Sequence, residues 1–137
     1  MQQHTISAKY ESGMHFSTDV DTFSIDTDSQ EEDKLPVGPG PKKLMLVSLA
    51  GCTGIDVVSI LQKMKVPFNK FSIQVQATLG QNHPKTYTEV RVHYFIQVDA
   101  THHEKVHRAV QLSEEKYCGV MAMFRSFAKV ELSIHFL

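Results

Sequence analysis

The apolar run at residues 44–61 has almost no polar face. Leu44, Met45, Leu46, Val47, Leu49, Ile55, Val57, Val58, Ile60 and Leu61 crowd nearly every side of a helix. That pattern predicts a helix enclosed by other structure. Pro41 suits its first turn, where a missing N–H costs nothing. The helix is expected to run to about Met64 and stop before Pro67. Period-two alternation marks the strands. Residues 3–10 and 14–20 flank the turn Glu11-Ser12-Gly13 and read as a hairpin. Residues 22–26 add a third strand, with Phe23 and Ile25 on one face. Residues 68–79 alternate through Phe71, Ile73, Val75 and Ala77, and residues 87–98 form a second long strand. Residues 128–136 alternate through Val130, Leu132, Ile134 and Phe136. Asp99 or Thr101 caps a helix over 102–115, with Val106, Val110 (or Ala109) and Leu112 inward. A shorter helix covers 117–124. Residues 27–41 are acidic, then rich in Pro and Gly, and read as a loop, mobile over 28–34. The order is β-β-β-α-β-β-α-α-β. Its strands come in antiparallel pairs, which indicates an α+β fold in a single domain, residues 1–137.

Composition narrows the function classes. The chain has 137 residues, a net charge of −1 and interspersed acidic and basic residues. No basic stripe is present, so nucleic acid is not an expected partner. No charged n-region and apolar h-region open the chain. The 44–62 segment is long enough for a membrane span, but Asp56 in lipid would be costly, so a core helix and no membrane partner are expected. Two cysteines without a secretory signal fit a reducing cytosol, where a disulfide is transient. A cytoplasmic location follows as an expectation.

The polar residues of the long helix carry the candidate chemistry. Ser48, Cys52 and Asp56 are spaced by four and share a face, which Ser59 and Lys63 continue. Gly51 and Gly54 would let another backbone approach, across a dimer axis for example. Cys52 reads either as a small apolar filler or as a redox thiol paired with Cys118. A mid-helix cysteine gains little from the helix dipole and needs a nearby cation or donor to ionise. Asp56 opposes that ionisation unless it is itself paired.

The segments GPGPKKLMLVSLAGCTGIDVVSILQKM around Cys52 and EEKYCGVMAM around Cys118 resemble those of the OsmC/Ohr family of thiol-dependent hydroperoxide reductases. The order of elements agrees over essentially the whole chain, and the chain looks most like a small OsmC-like branch. The resemblance implies an OsmC-like fold: an intertwined homodimer with long buried central helices wrapped by antiparallel sheets. It implies that Cys52 is peroxidatic and Cys118 resolving, with an organic hydroperoxide as substrate, a dithiol as reductant and no cofactor. Family peroxidases also use an Arg from the first hairpin and a Glu before the central helix. Here no Arg precedes Arg91. The corresponding positions fall near Glu11 and Ser12, and on Lys42 with Lys43 beside it, so the charges are reversed. Ten residues of helix span about 15 Å, so Lys42 or Lys43 would support the Cys52 thiolate only across a dimer. Otherwise both are solvated at the helix start.

The departures keep a second class open: a non-catalytic protein of this fold, holding a small apolar ligand at the dimer interface. A hotdog-type fold is a third reading, disfavoured by the two helices within 102–124. Metal binding is not expected. His103 and His107 are four apart, but a solvated helix face is the favoured reading of His102, His103 and His107. His4 and His15 read as surface or strand-partner residues, and Arg125 as a surface ion pair. Met121, Met123 and Phe124 are expected to pack the core or line an apolar pocket.

Overall fold

The computed structural model describes residues 1–137. The chain divides into two compact units, residues 1–45 and 46–137.

The first unit is an antiparallel meander of β1 (Ser7–Ser12), β2 (His15–Val20) and β3 (Phe23–Thr27). Gly13 takes φ +51 at the β1–β2 turn, where an L side chain is strained. His15 bonds Asp26 across β2 and β3, Nε2 to Oδ1, at 2.8 Å. The following loop is organised around Asp28. Its buried carboxylate accepts from the backbone N–H of Ser29 at 2.7 Å and of Val37 at 3.0 Å. These bonds, Val37 first, hold the Asp28 pKa below its ordinary value. The mobile loop expected over 28–34 is therefore tied down at its start by one carboxylate, which composition could not reveal.

The long helix α1 (Pro41–Lys63) begins in the first unit and runs into the second. There follow β4 (Asn69–Leu79), β5 (Tyr87–Gln97), α2 (His103–Leu112), α3 (Gly119–Arg125) and β6 (Lys129–Phe136). The element order matches the sequence expectation. The helix expected over 102–115 is shorter, and its ends differ. Asp99 caps a single 3-10 turn over Ala100–His102, accepting from Thr101 N at 3.0 Å. A π-turn, Ser113–Tyr117, separates α2 from α3.

The sheet corrects one expectation. β4 and β5 are antiparallel, but β5 and β6 are parallel. The connection through α2 and α3 is long enough to return β6 in the same direction as β5, as parallel strands require. Alternation alone is blind to that direction.

The core of the second unit joins one face of this sheet to the helices. Val90, Val92, Tyr94 and Ile96 of β5 are buried with Leu49, Val57 and Leu61 of α1 and with Val106, Ala109, Met121 and Phe124. A Cβ on Gly54 would meet Ile73 Cδ1 at 3.2 Å, so the missing side chain lets β4 pass close to α1. α1 is long and apolar enough for a membrane span by length and composition. Its Leu49, Thr53, Val57 and Leu61 row is instead sealed into the core. Within one chain α1 is not enclosed on all sides, however. Val47 and Ile55 are 62% and 73% exposed, and a Cβ on Gly51 would meet nothing within 4 Å. In the single chain the long helix is buried on one row of positions and open on the other side.

Candidate thiol site

Cys52 sits on α1, half-buried, one position before the core-facing Thr53. Cys118 is buried and forms the N-cap of α3, its Sγ accepting from Met121 N at 3.2 Å. The two sulfurs and the Asp56 carboxylate all lie within 4.8 Å of one another. Fold topology thus gathers two residues of one helix with the start of another. Neither cysteine is in a disulfide.

Burial pushes the Cys118 thiol up to about 12. Its hydrogen bond to Cys52 and the charges of Cys52 and Asp56 add to the rise, and the Met121 N–H opposes it. Cys118 is therefore a protonated thiol at neutral pH, with a hydrogen-bond donor directed at Cys52. Asp56 contributes to that rise at Cys118 as the last of its causes.

Asp56 has a partner of its own. Ser113 Oγ donates to Asp56 Oδ2 at 2.9 Å, Thr53 Oγ1 lies 3.2 Å from Ser113 Oγ, and Tyr94 OH lies 2.6 Å from Thr53 Oγ1. Each hydroxyl has one proton to donate. Because Ser113 spends its proton on the carboxylate, Thr53 donates to Ser113 and Tyr94 donates to Thr53. The result is a directed chain, Tyr94 to Thr53 to Ser113 to Asp56, with its three hydroxyls buried. Burial pushes Tyr94 up to about 12, so this end of the chain keeps its proton.

A family model described as OsmC-like protein matches residues 22–133. The chain belongs to the OsmC-like family. Protein YhfA of Escherichia coli (strain K12) is 32% identical over 92 residues, covering 67% of this chain and 69% of YhfA. A hypothetical protein from Aquifex aeolicus VF5 superposes with a TM-score of 0.83 at 26% identity, covering 100% of this chain and 99% of the other. An organic hydroperoxide resistance protein from Elizabethkingia anophelis shares the fold at a TM-score of 0.73 and 14% identity, covering 99% of each chain. These likenesses, with the two sheets and three helices described above, establish the α+β OsmC-like fold.

The supporting residues expected in this OsmC-like chain are placed as follows. Lys42 and Lys43 are exposed at the start of α1. Glu11 lies on β1, 3.9 Å from Lys9. His15 is engaged by Asp26, as a strand-partner role anticipated. His103 stacks on Phe136 with ring centroids 3.6 Å apart, and His107 meets the same ring edge-on at 5.6 Å. Both rings meet Phe136, His103 half-buried and His107 exposed. Arg125 pairs with Glu114 at 2.7 Å, the surface ion pair expected of it. Met121 and Phe124 are core residues, whereas Met123 is exposed.

Thr53, Tyr94 and Ser113 were not legible as site residues. Thr53 lies off the Ser48–Cys52–Asp56 stripe, and the other two meet it only through folding. The one signal available was a threonine set among apolar neighbours on a core helix. Metal chemistry was not expected either, yet Cys52, Asp56 and Cys118 offer three ligand atoms. The 4.8 Å spread would have to contract for them to hold one ion, at bond lengths of about 2.0–2.3 Å.

Proposed function

We propose that this OsmC-like protein reduces organic hydroperoxides through a Cys52/Cys118 thiol pair, in the cytosol and as a homodimer. The observation that carries the reading is the convergence of the two sulfurs at one end of a buried polar network.

The chemistry balances with the two thiols, the hydroperoxide and an external dithiol. Cys52, deprotonated, attacks the distal oxygen of ROOH. The O–O bond breaks, the alkoxide takes a proton to leave as ROH, and Cys52 becomes a sulfenic acid. Cys118 then attacks the Cys52 sulfur, its thiol proton is lost and water leaves. The resulting disulfide needs an S–S distance of about 2.05 Å, so the sulfurs must close from their present separation. An external dithiol is oxidised as it restores both thiols. The assignment of roles follows exposure and protonation. Half-buried Cys52 is reachable by substrate, while buried Cys118 stays a thiol until a sulfenic acid forms beside it.

The uncovered apolar side of α1 supports the dimer reading. Val47 and Ile55 would gain from burial against a second copy, as would the open groove of about 460 Å³ lined by Gly54, Ile55, Val58, Ser59, Gln62 and Phe71. The same groove favours the second reading, in which an apolar ligand binds there and no peroxide is turned over. In the dimer, Lys42 or Lys43 of one copy would support the Cys52 thiolate of the other.

The test is intact mass of the reduced protein after a small excess of cumene hydroperoxide, for wild type, Cys118→Ser and Cys52→Ser. A disulfide in wild type, a trappable sulfenic acid in Cys118→Ser and no oxidation in Cys52→Ser is the expected set. Absence of oxidation in wild type would move the function to ligand binding.

A further inference from the structure

On the sheet face opposite the buried residues of β5, two histidines and a serine converge. His93 of β5 is the register partner of Ser133 on β6, and His135 follows two residues later on the same face. His93 Nδ1 lies 2.7 Å from Ser133 Oγ and 3.2 Å from His135 Nε2, and Ser133 Oγ lies 3.1 Å from His135 Nε2. The serine oxygen carries lone pairs, and each of the two ring nitrogens offers one in the tautomer that places the proton on the other nitrogen of its ring.

The edges match a coordination polyhedron. Imidazole bonds a divalent transition metal at about 2.0–2.1 Å, which puts adjacent ligand atoms about 2.9 Å apart at right angles and about 3.4 Å apart in a tetrahedron. The three edges fall within or close to that range, so one ion can cap the triangle with little side-chain movement. The parallel pairing of β5 and β6 is what aligns the two histidines.

The surroundings fit the same role. His93 Nε2 lies 3.2 Å from Gln76 Oε1. An amide oxygen only accepts, so Nε2 carries the proton and Nδ1 keeps the lone pair that a metal would use. Histidine ligands of metals are fixed in this way, by a hydrogen bond from the second ring nitrogen. Phe95 stacks on the His135 ring at 4.7 Å and 16°, which restrains its orientation. His93 is half-buried and His135 exposed, so an ion can reach the triangle from solvent and keep water in its remaining positions.

We propose that His93 Nδ1, His135 Nε2 and Ser133 Oγ form a binding site for an imidazole-preferring divalent metal ion such as Zn2+ or Cu2+. The site lies on a different face from the thiol pair and does not rest on the hydroperoxide reading.

The thiols are themselves zinc ligands, so the test starts from the full chain carrying Cys52→Ser and Cys118→Ser. Zn2+ titration by calorimetry should show one site, weakened at least tenfold by His93→Gln or by His135→Gln. It should be unchanged by His103→Gln together with His107→Gln. Should the double serine chain fail to fold, the wild-type chain labelled with 15N-histidine gives the same answer. Saturating Zn2+ should shift His93 Nδ1 and His135 Nε2 while His93 Nε2 keeps its proton. Affinity unchanged from the parent chain in the His93→Gln and His135→Gln variants, or histidine shifts confined to other positions, would overturn the site.

Discussion

Ser113 Oγ donates a 2.9 Å hydrogen bond to Asp56 Oδ2. That bond ties the π-turn before Cys118 to the helix that carries Cys52. π-Turns within helical segments often accompany functional sites, and this one brings a buried hydroxyl to the carboxylate beside the two sulfurs. Behind Ser113, Thr53 and Tyr94 complete the chain of donors.

Breaking that chain in the middle should cost stability. Thr53→Val removes the acceptor of Tyr94 and the donor to Ser113, leaving buried polar atoms unpaired. A loss of about 1–3 kcal/mol is expected by urea denaturation. Adding Tyr94→Phe should cost less than the sum of the two single changes, because the orphaned phenol is then gone. Strict additivity would mean that the hydroxyls are not coupled.

Thiol accessibility should differ sharply. Iodoacetamide at pH 8 is expected to label Cys52 first and to leave Cys118 largely unmodified until the protein is unfolded. Cys118 is 3% exposed and its pKa is pushed up to about 12. Peptide mass mapping over time checks the order, and equal labelling would remove the basis for the assigned roles. Lys42→Ala or Lys43→Ala should slow labelling of Cys52 if either lysine supports its thiolate.

Alkaline conditions should destabilise the fold. Cys118 and Tyr94 rise from 9.0 and 10.0 to about 12 on folding. Between those values the folded chain holds protons that the unfolded chain has released. Stability is therefore full below about pH 8.5 and falls as pH climbs toward 12. Urea midpoints against pH should show that decline, and Cys118→Ala should flatten it. At the acid end the sign reverses. Asp28 is held low, so its contribution is present above its ordinary 3.8 and is lost as pH drops through the lowered value. Asp28→Asn should reduce that acid sensitivity.

Association should depend on the open side of α1. Light scattering at micromolar concentration is expected to give a dimer. Ile55→Asp, which sets a charge on a position 73% exposed in the single chain, should weaken the dimer at least tenfold. A wild-type monomer would contradict the proposed assembly.

The sequence by itself determined the strands, the long helix and their order. These follow from side-chain periods of 2.0 and 3.6 and from local stops such as Pro67. It also placed Cys52 and Asp56 on one face, since both lie on one helix. What only the tertiary structure decided depends on contacts between distant residues. The parallel pairing of β6 was set by the path of α2 and α3, to which strand alternation is indifferent. The donor chain through Thr53, Tyr94 and Ser113 joins a helix, a strand and a π-turn, so no local pattern could reveal it. The meeting of His93 and His135 likewise rests on strand register. Cys118 could be named from the sequence, but its distance from Cys52 and its raised pKa came from burial, which is a property of the folded chain.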